Sequence, residues 1–203
     1  GSARRTMTLF EFLMALASVV IAIALTEMFA GWGRLLRAHI TPRIDWLHLG
    51  WTLVVVLYAI QYWVGIWPYR DIVFDRIYQV WFLIFPTLFI VLVSYAITPD
   101  IEPDAKLDLR DYYMLRRGPI FFGLAAFLAM AQLADMVIFA EHIDLLSYSW
   151  WQLHQIGFGL IIVTLIPAMR TSITIHSLVM LVNLVFLISN GIGLYPGANG
   201  LIN

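Results

Sequence analysis

Glu27, Asp135 and His154 are ionisable side chains lying inside long apolar stretches of this sequence, and Gln132 and Asn183 are amides in similar settings. If those stretches lie in lipid, each ionisable group there costs about 2.5–3.5 kcal/mol on insertion scales, so each calls for a partner or a purpose. A carboxylate and an imidazole can take up and release protons, and amide oxygens can replace part of a cation's hydration shell. Gln132 and Asp135 are three residues apart, so a helix would present them on one face. Counting about 1.5 Å per residue from the ends of the apolar stretches places these two and His154 towards one membrane face. Glu11, Gln61, Gln79, Gln155 and Asn190 fall at a similar depth, so every stretch contributes a polar group there. Glu27 falls towards the opposite face with Ser94, Tyr95 and His176, and Asn183 sits near the middle.

That pattern has two readings. In one, the polar groups line an outward vestibule, Glu27 is a protonatable gate and Asn183 marks a constriction. The acidic connections carrying Asp71, Asp75, Glu141 and Asp144 would then favour cations at the entrance. In the other, the amides hold helices together and Glu27 forms an ion pair with Arg34, two helical turns away.

Other chemistries fit less well. The chain has no cysteine, which removes disulfides, thiolate metal sites and cysteine nucleophiles. HExxH, GxSxG, P-loop and GxGxxG patterns are absent, so no enzyme is expected. His48 and His176 form the one pair placed to ligate a haem, and Asp135, Glu141, His142 and His154 the one conceivable metal set. No spacing demands either, so no cofactor or metal is expected. A retinal linkage is ruled out because the single lysine, Lys106, lies in a connection.

The elements that must position these side chains follow from composition. Of 203 residues, 62% are apolar and 12% charged, against about 45–50% and about 25% in soluble domains. Mean hydropathy is +0.85. This excludes an ordinary soluble domain, a disordered chain and a nucleic-acid binder. A spanning helix takes about 20 apolar residues, and six such stretches occur, at about 10–30, 47–67, 77–97, 119–140, 150–168 and 173–194. They do not alternate like barrel strands, and backbone in lipid must bond within its own segment, so helices are expected. Pro86 lies deep in the third stretch and predicts a kink. The reading is an all-α, polytopic six-transmembrane-helix bundle forming a single domain over 1–203.

Between the third and fourth spans, Leu107 to Arg117 has acids first and arginines last, an amphipathic helix pattern suited to the helix dipole. It either lies on the cytoplasmic membrane surface or extends the fourth span, and could dock a cytoplasmic protein. Trp67, Tyr69, Tyr78, Trp81, Trp150 and Trp151 are expected as anchors at the outer interface. Trp32, Trp46, Trp51, Tyr95, Tyr112 and Tyr113 are expected as anchors at the inner one. Eight basic residues fall on one side and four on the other, counting Arg4 and Arg5 with the four, so the positive-inside rule places both termini outside. Gly1-Ser2-Ala3 reads as a cloning remnant, and no cleavable signal pattern follows it. Ser18-xxx-Ala22 and Gly157-x-Gly159 allow close helix approach, within the bundle or in a homo-oligomer.

The stretch Asp108 to Ala125 (DLRDYYMLRRGPIFFGLA), with LTEMFAGWGRLLR at the first span, resembles a group of short six-helix bacterial inner-membrane proteins of unassigned function. The resemblance implies topology and a bacterial inner membrane, and it assigns no site. The expected function is a small channel or transporter for protons or cations, alone or as an oligomer, with Glu27, Gln132, Asp135, His154 and Asn183 in the path. The alternative is a non-catalytic scaffold or partner subunit whose partners are membrane lipids and a cytoplasmic protein.

Overall fold

The computed structural model describes residues 7–37, 42–100, 107–139 and 148–191. Arg4, Arg5, Glu102, Asp104, Lys106, Glu141, His142 and Asp144 lie outside that range, as do the side chains of Trp150, Trp151 and Asn190. The described residues form six helices: α1 (Leu9–Arg37), α2 (Trp46–Gly65), α3 (Ile77–Ile97), α4 (Leu109–Phe139), α5 (Tyr148–Met169) and α6 (Ile173–Gly191). A 3-10 turn, Trp67–Asp71, continues α2. Among the described residues, four segments are long and apolar enough to cross a membrane: α1, α2 with its 3-10 turn, α3 and α4. The apolar runs in α5 and α6, His154–Met169 and Ile173–Ser189, are shorter.

Helix starts follow the sequence closely. Thr8 and Glu11 form a reciprocal cap on α1. The Thr8 N–H donates to the Glu11 carboxylate (2.8 Å) and the Glu11 N–H to the Thr8 hydroxyl (3.2 Å). Asp45 caps α2 through the N–H groups of Leu47 and His48, and Asp108 caps α4 through those of Arg110 and Asp111. Gln79 accepts the Arg76 N–H at the start of α3. The segment expected as an amphipathic helix is the first turns of α4 itself. The helix begins at Leu109 and runs on through Gly118 and Pro119 to Phe139, so among the described residues no separate helix precedes it.

α3 is one helix through Pro86. The ring of Pro86 removes a donor and crowds the carbonyls one turn back. The Tyr62 hydroxyl donates to the Leu83 carbonyl at 2.6 Å, satisfying an oxygen beside that gap from a neighbouring helix.

The helices close into a ring in the order α1, α3, α4, α5, α6, α2, with α2 also against α3 and α4. Two apolar clusters fill it. The larger runs from Leu47 and Trp51 past Val54, Val55, Phe121 and Leu124 to Phe127. The smaller gathers Phe10, Leu13, Ala17, Ile66, Leu83 and Ala134 at the end where α1 starts. Trp51 meets Phe121 edge to face with centroids 4.6 Å apart. Large apolar residues such as Val19, Leu92, Ile162 and Val185 stay exposed on the outer faces of their helices. Trp51, Tyr69 and Tyr113, expected as interface anchors, are instead buried in the bundle, whereas Trp46, Trp67, Trp81 and Tyr95 are exposed. The buried hydroxyls of Tyr69 and Tyr113 find polar partners inside, which explains their place.

Candidate functional site

At the end of the bundle where α1 begins, three elements bring ionisable groups together. Asp135 sits four residues before the end of α4 and is partly buried. That is roughly 6 Å along the helix axis. The Tyr69 hydroxyl, held by the 3-10 turn after α2, donates to Asp135 Oδ1. His154, buried on α5, lies within electrostatic reach of the same carboxylate, as does Tyr62 of α2. The position of Tyr69 is set by the turn begun at Trp67 and Pro68, which packs its ring with Ile66 and Ile72. Gln132, one turn before Asp135, lays its side-chain amide on Gly157, where any Cβ would collide with it. Three of the predicted residues, Gln132, Asp135 and His154, therefore lie along one contact between α4 and α5. This cluster can hold, pass or release a proton between a carboxyl, a phenol and an imidazole.

Glu11 and Gln79, expected in the same vestibule, instead satisfy backbone N–H groups at the starts of α1 and α3. Gln155 is exposed on α5.

Asn183 is fully buried and joins three helices. Its Oδ1 accepts from the Tyr58 hydroxyl of α2 (2.7 Å), and its Nδ2 donates to Thr164 of α5 (3.2 Å) and to the Val179 carbonyl (2.9 Å). Glu27 pairs with Arg34 at 2.9 Å, so long side chains do bridge the two turns between them.

The opposite end carries a network that the residue-by-residue reading missed. Arg43 and Asp108 form a short parallel backbone bridge, with Arg43 N–H to Leu107 O at 3.0 Å and Leu109 N–H to Arg43 O at 3.2 Å. Across it, Arg43 pairs with Asp108 (3.3 Å) and Asp45 with Arg110 (2.6 Å). Each capping carboxylate thus also binds an arginine from the other segment. The signal was present as Arg43-x-Asp45 facing Asp108-x-Arg110, two charge pairs in matching register. The Asp108 carboxyl is held below the usual carboxylate range. Desolvation acts upward, but the Arg110 and Asp111 N–H groups and the Arg43 guanidinium together outweigh it.

Beside this clasp, Tyr112 donates to the carbonyls of Ala96 and Thr98, and His48 Nε2 donates to that of Ile97 (2.8 Å), closing the end of α3. His176 donates through Nε2 to the Arg170 carbonyl (2.8 Å), which leaves Nδ1 to accept from Tyr113. Haem ligation through His176 would break one of those bonds. Among the described residues, no group of three or more His, Cys, Asp or Glu side chains is placed to hold a metal. Glu141 and His142 of the conceivable metal set lie outside them.

Comparison with known protein families, curated proteins and solved structures finds no match to this chain.

Proposed function

We propose that the chain is a small proton or cation transporter of a bacterial inner membrane, crossing it six times with both termini outside. The observation that carries this is the convergence of Asp135, Tyr69 and His154 from three elements at one end of an apolar bundle. Ionisable groups inside an apolar bundle are candidates for a functional site by default. The six-crossing reading is supported by helix length. α5 has 22 residues and α6 has 19 residues. At about 1.5 Å per residue they reach roughly 33 Å and about 28 Å, close to the ~30 Å of the hydrocarbon core.

In this reading the outer cluster exchanges protons with the outside. The buried layer of Tyr58, Asn183 and Thr164 is the barrier that must rearrange for passage, and Glu27 with Arg34 lies on the inner side. The test is flux into liposomes holding the purified chain, under pH and cation gradients, beside Asp135→Asn. The expected result is wild-type flux that falls at least about tenfold in the variant, the loss set by one protonation site removed. No flux under any gradient refutes transport. Flux unchanged in Asp135→Asn refutes the residue assignment.

A second reading, a membrane scaffold or partner subunit, draws on a specific observation. Glu27 and Asn183 both bond to neighbours in the bundle, as packing residues would. The basic end with Arg110, Arg116 and Arg117 would then face a cytoplasmic partner, and absence of flux would favour it.

A further inference from the structure

The outer face of the α1–α2 pair carries a furrow that the transport reading leaves unused. At the end where α1 starts, a cleft of about 440 Å³ opens between the first turns of α1 and the 3-10 turn. Glu11, Arg70 and Asp71 surround it, and Phe10, Met14 and Trp67 form its apolar side. Further along the same pair, a second hollow of about 250 Å³ is bounded by Ser18, Ala22 and Leu25 of α1 and by Ile60 and Trp63 of α2.

The two hollows lie on one seam. Glu11, Met14, Ser18, Ala22 and Leu25 are spaced three or four apart, as are Ile60, Trp63, Trp67 and Arg70, so each set forms a single stripe. Ala22, Ile60 and Trp63 are exposed, and the Trp63 indole N–H donates to the Ser18 hydroxyl across the seam (2.8 Å). The first hollow is charged and the second almost wholly apolar.

The charges select the occupant. The Arg70 guanidinium lies 5.4 Å over the Trp67 ring and 3.4 Å from Asp71, while its Nη1 is buried and has no hydrogen-bond partner among the described residues. One Glu11 oxygen serves the Thr8 N–H, and the other accepts no hydrogen bond among the described residues. Two carboxylates and one guanidinium give the cleft a net negative charge, which disfavours a purely anionic headgroup. It suits a ligand carrying both a phosphate, for Arg70, and a hydrogen-bonding ammonium, for Glu11 and Asp71. The apolar part suits an acyl chain. Met14 and Leu25 are eleven residues apart, and that length of helix is roughly 16 Å, close to the ~15 Å of one leaflet's hydrocarbon.

We propose that this seam is a binding site for a phospholipid with a primary ammonium headgroup. Its phosphate lies on Arg70, its ammonium between Glu11 and Asp71, and one chain along Ser18 to Leu25. A choline headgroup, which has no N–H, and a glycerol headgroup, which has no positive charge, bind less well.

The test is native mass spectrometry of the whole chain titrated with phosphatidylethanolamine, phosphatidylcholine and phosphatidylglycerol of identical acyl chains. Phosphatidylethanolamine should be retained about tenfold more tightly than phosphatidylglycerol, the size of one charge-assisted contact. Glu11→Gln, which keeps an oxygen for the Thr8 cap, should remove most of that preference, and Arg70→Gln, which loses the phosphate contact common to the three headgroups, should weaken all three. Ala22→Phe, which fills the chain groove, should weaken all three lipids alike. Equal retention of the three lipids by the wild type overturns the proposal. So does a preference that survives Glu11→Gln undiminished. A lipid-free dimer that Ala22→Phe dissociates also overturns it, by assigning the seam to a second copy of the chain.

Discussion

Replacing Asp45 by alanine should be among the most damaging single changes at the basic end of the bundle. Asp45 is 5% exposed and has two tasks. One carboxylate oxygen accepts the N–H groups of Leu47 and His48 at 3.0 and 3.1 Å, and the other receives Arg110 at 2.6 Å. Losing the cap costs about 1 kcal/mol. Losing hydrogen bonds to a charged partner costs about 1.5–3 kcal/mol. The low end applies, because the Arg110 side chain is 40% exposed and water can take it back. Together these give about 2–3 kcal/mol. The mirror pair supplies an internal control. The Arg43 side chain is 83% exposed, so Arg43→Ala should cost nothing the assay resolves. Asp45→Asn, which keeps the capping oxygen but not the charge, should fall between the two. Unfolding in mixed micelles, followed by tryptophan fluorescence, reads all three variants. If Arg43→Ala and Asp45→Ala destabilise equally, burial does not separate the two pairs and the reasoning fails.

Asn183→Leu should cost about 1–3 kcal/mol by stranding the Tyr58 hydroxyl and Thr164 in the core, and adding Tyr58→Phe should recover part of it in a double-mutant cycle. Gly31→Ala drives a Cβ into the stiff, branched Thr98 side chain and should destabilise by about 1–3 kcal/mol. Gly33→Ala meets only the flexible end of Arg37 at 3.7 Å. It should be neutral or stabilise by up to about 1 kcal/mol in the same unfolding assay. The Asp108 carboxyl is held below its usual range when folded, so its contribution is complete above the unfolded pKa of about 3.9 and fades as pH falls. Hydrogen exchange of the Arg110 and Asp111 amides should therefore accelerate, beyond the intrinsic pH effect, only below about pH 4.

The helices were legible because apolar run length is read directly from composition, and the ends were legible wherever a capping residue marked them. Asp135 with His154 and Gln132 was legible for the same reason, as polar groups in an apolar background are conspicuous. What held them was not. Tyr69 and Tyr113 look like interface anchors in a sequence, since a phenol suits a headgroup as well as a buried carboxylate or imidazole. Only the packing of the 3-10 turn against α4, and of α4 against α6, decides between them. The clasp was hidden for a different reason. Its two halves are 65 residues apart, and the parallel register that pairs them exists only once α2 and α4 start side by side.

The position of α2, bordered by α1, α3, α4 and α6, also bears on how the bundle closes. The partner of the α2 Tyr58 hydroxyl is Asn183 of α6, although α3, α4 and α5 lie between them in sequence. Without α6 the Tyr58 hydroxyl loses its partner and α2 loses one of its neighbours, so α1 to α5 alone leave the bundle open on that side. A chain cut before α6 should therefore be digested by added protease faster than the full chain.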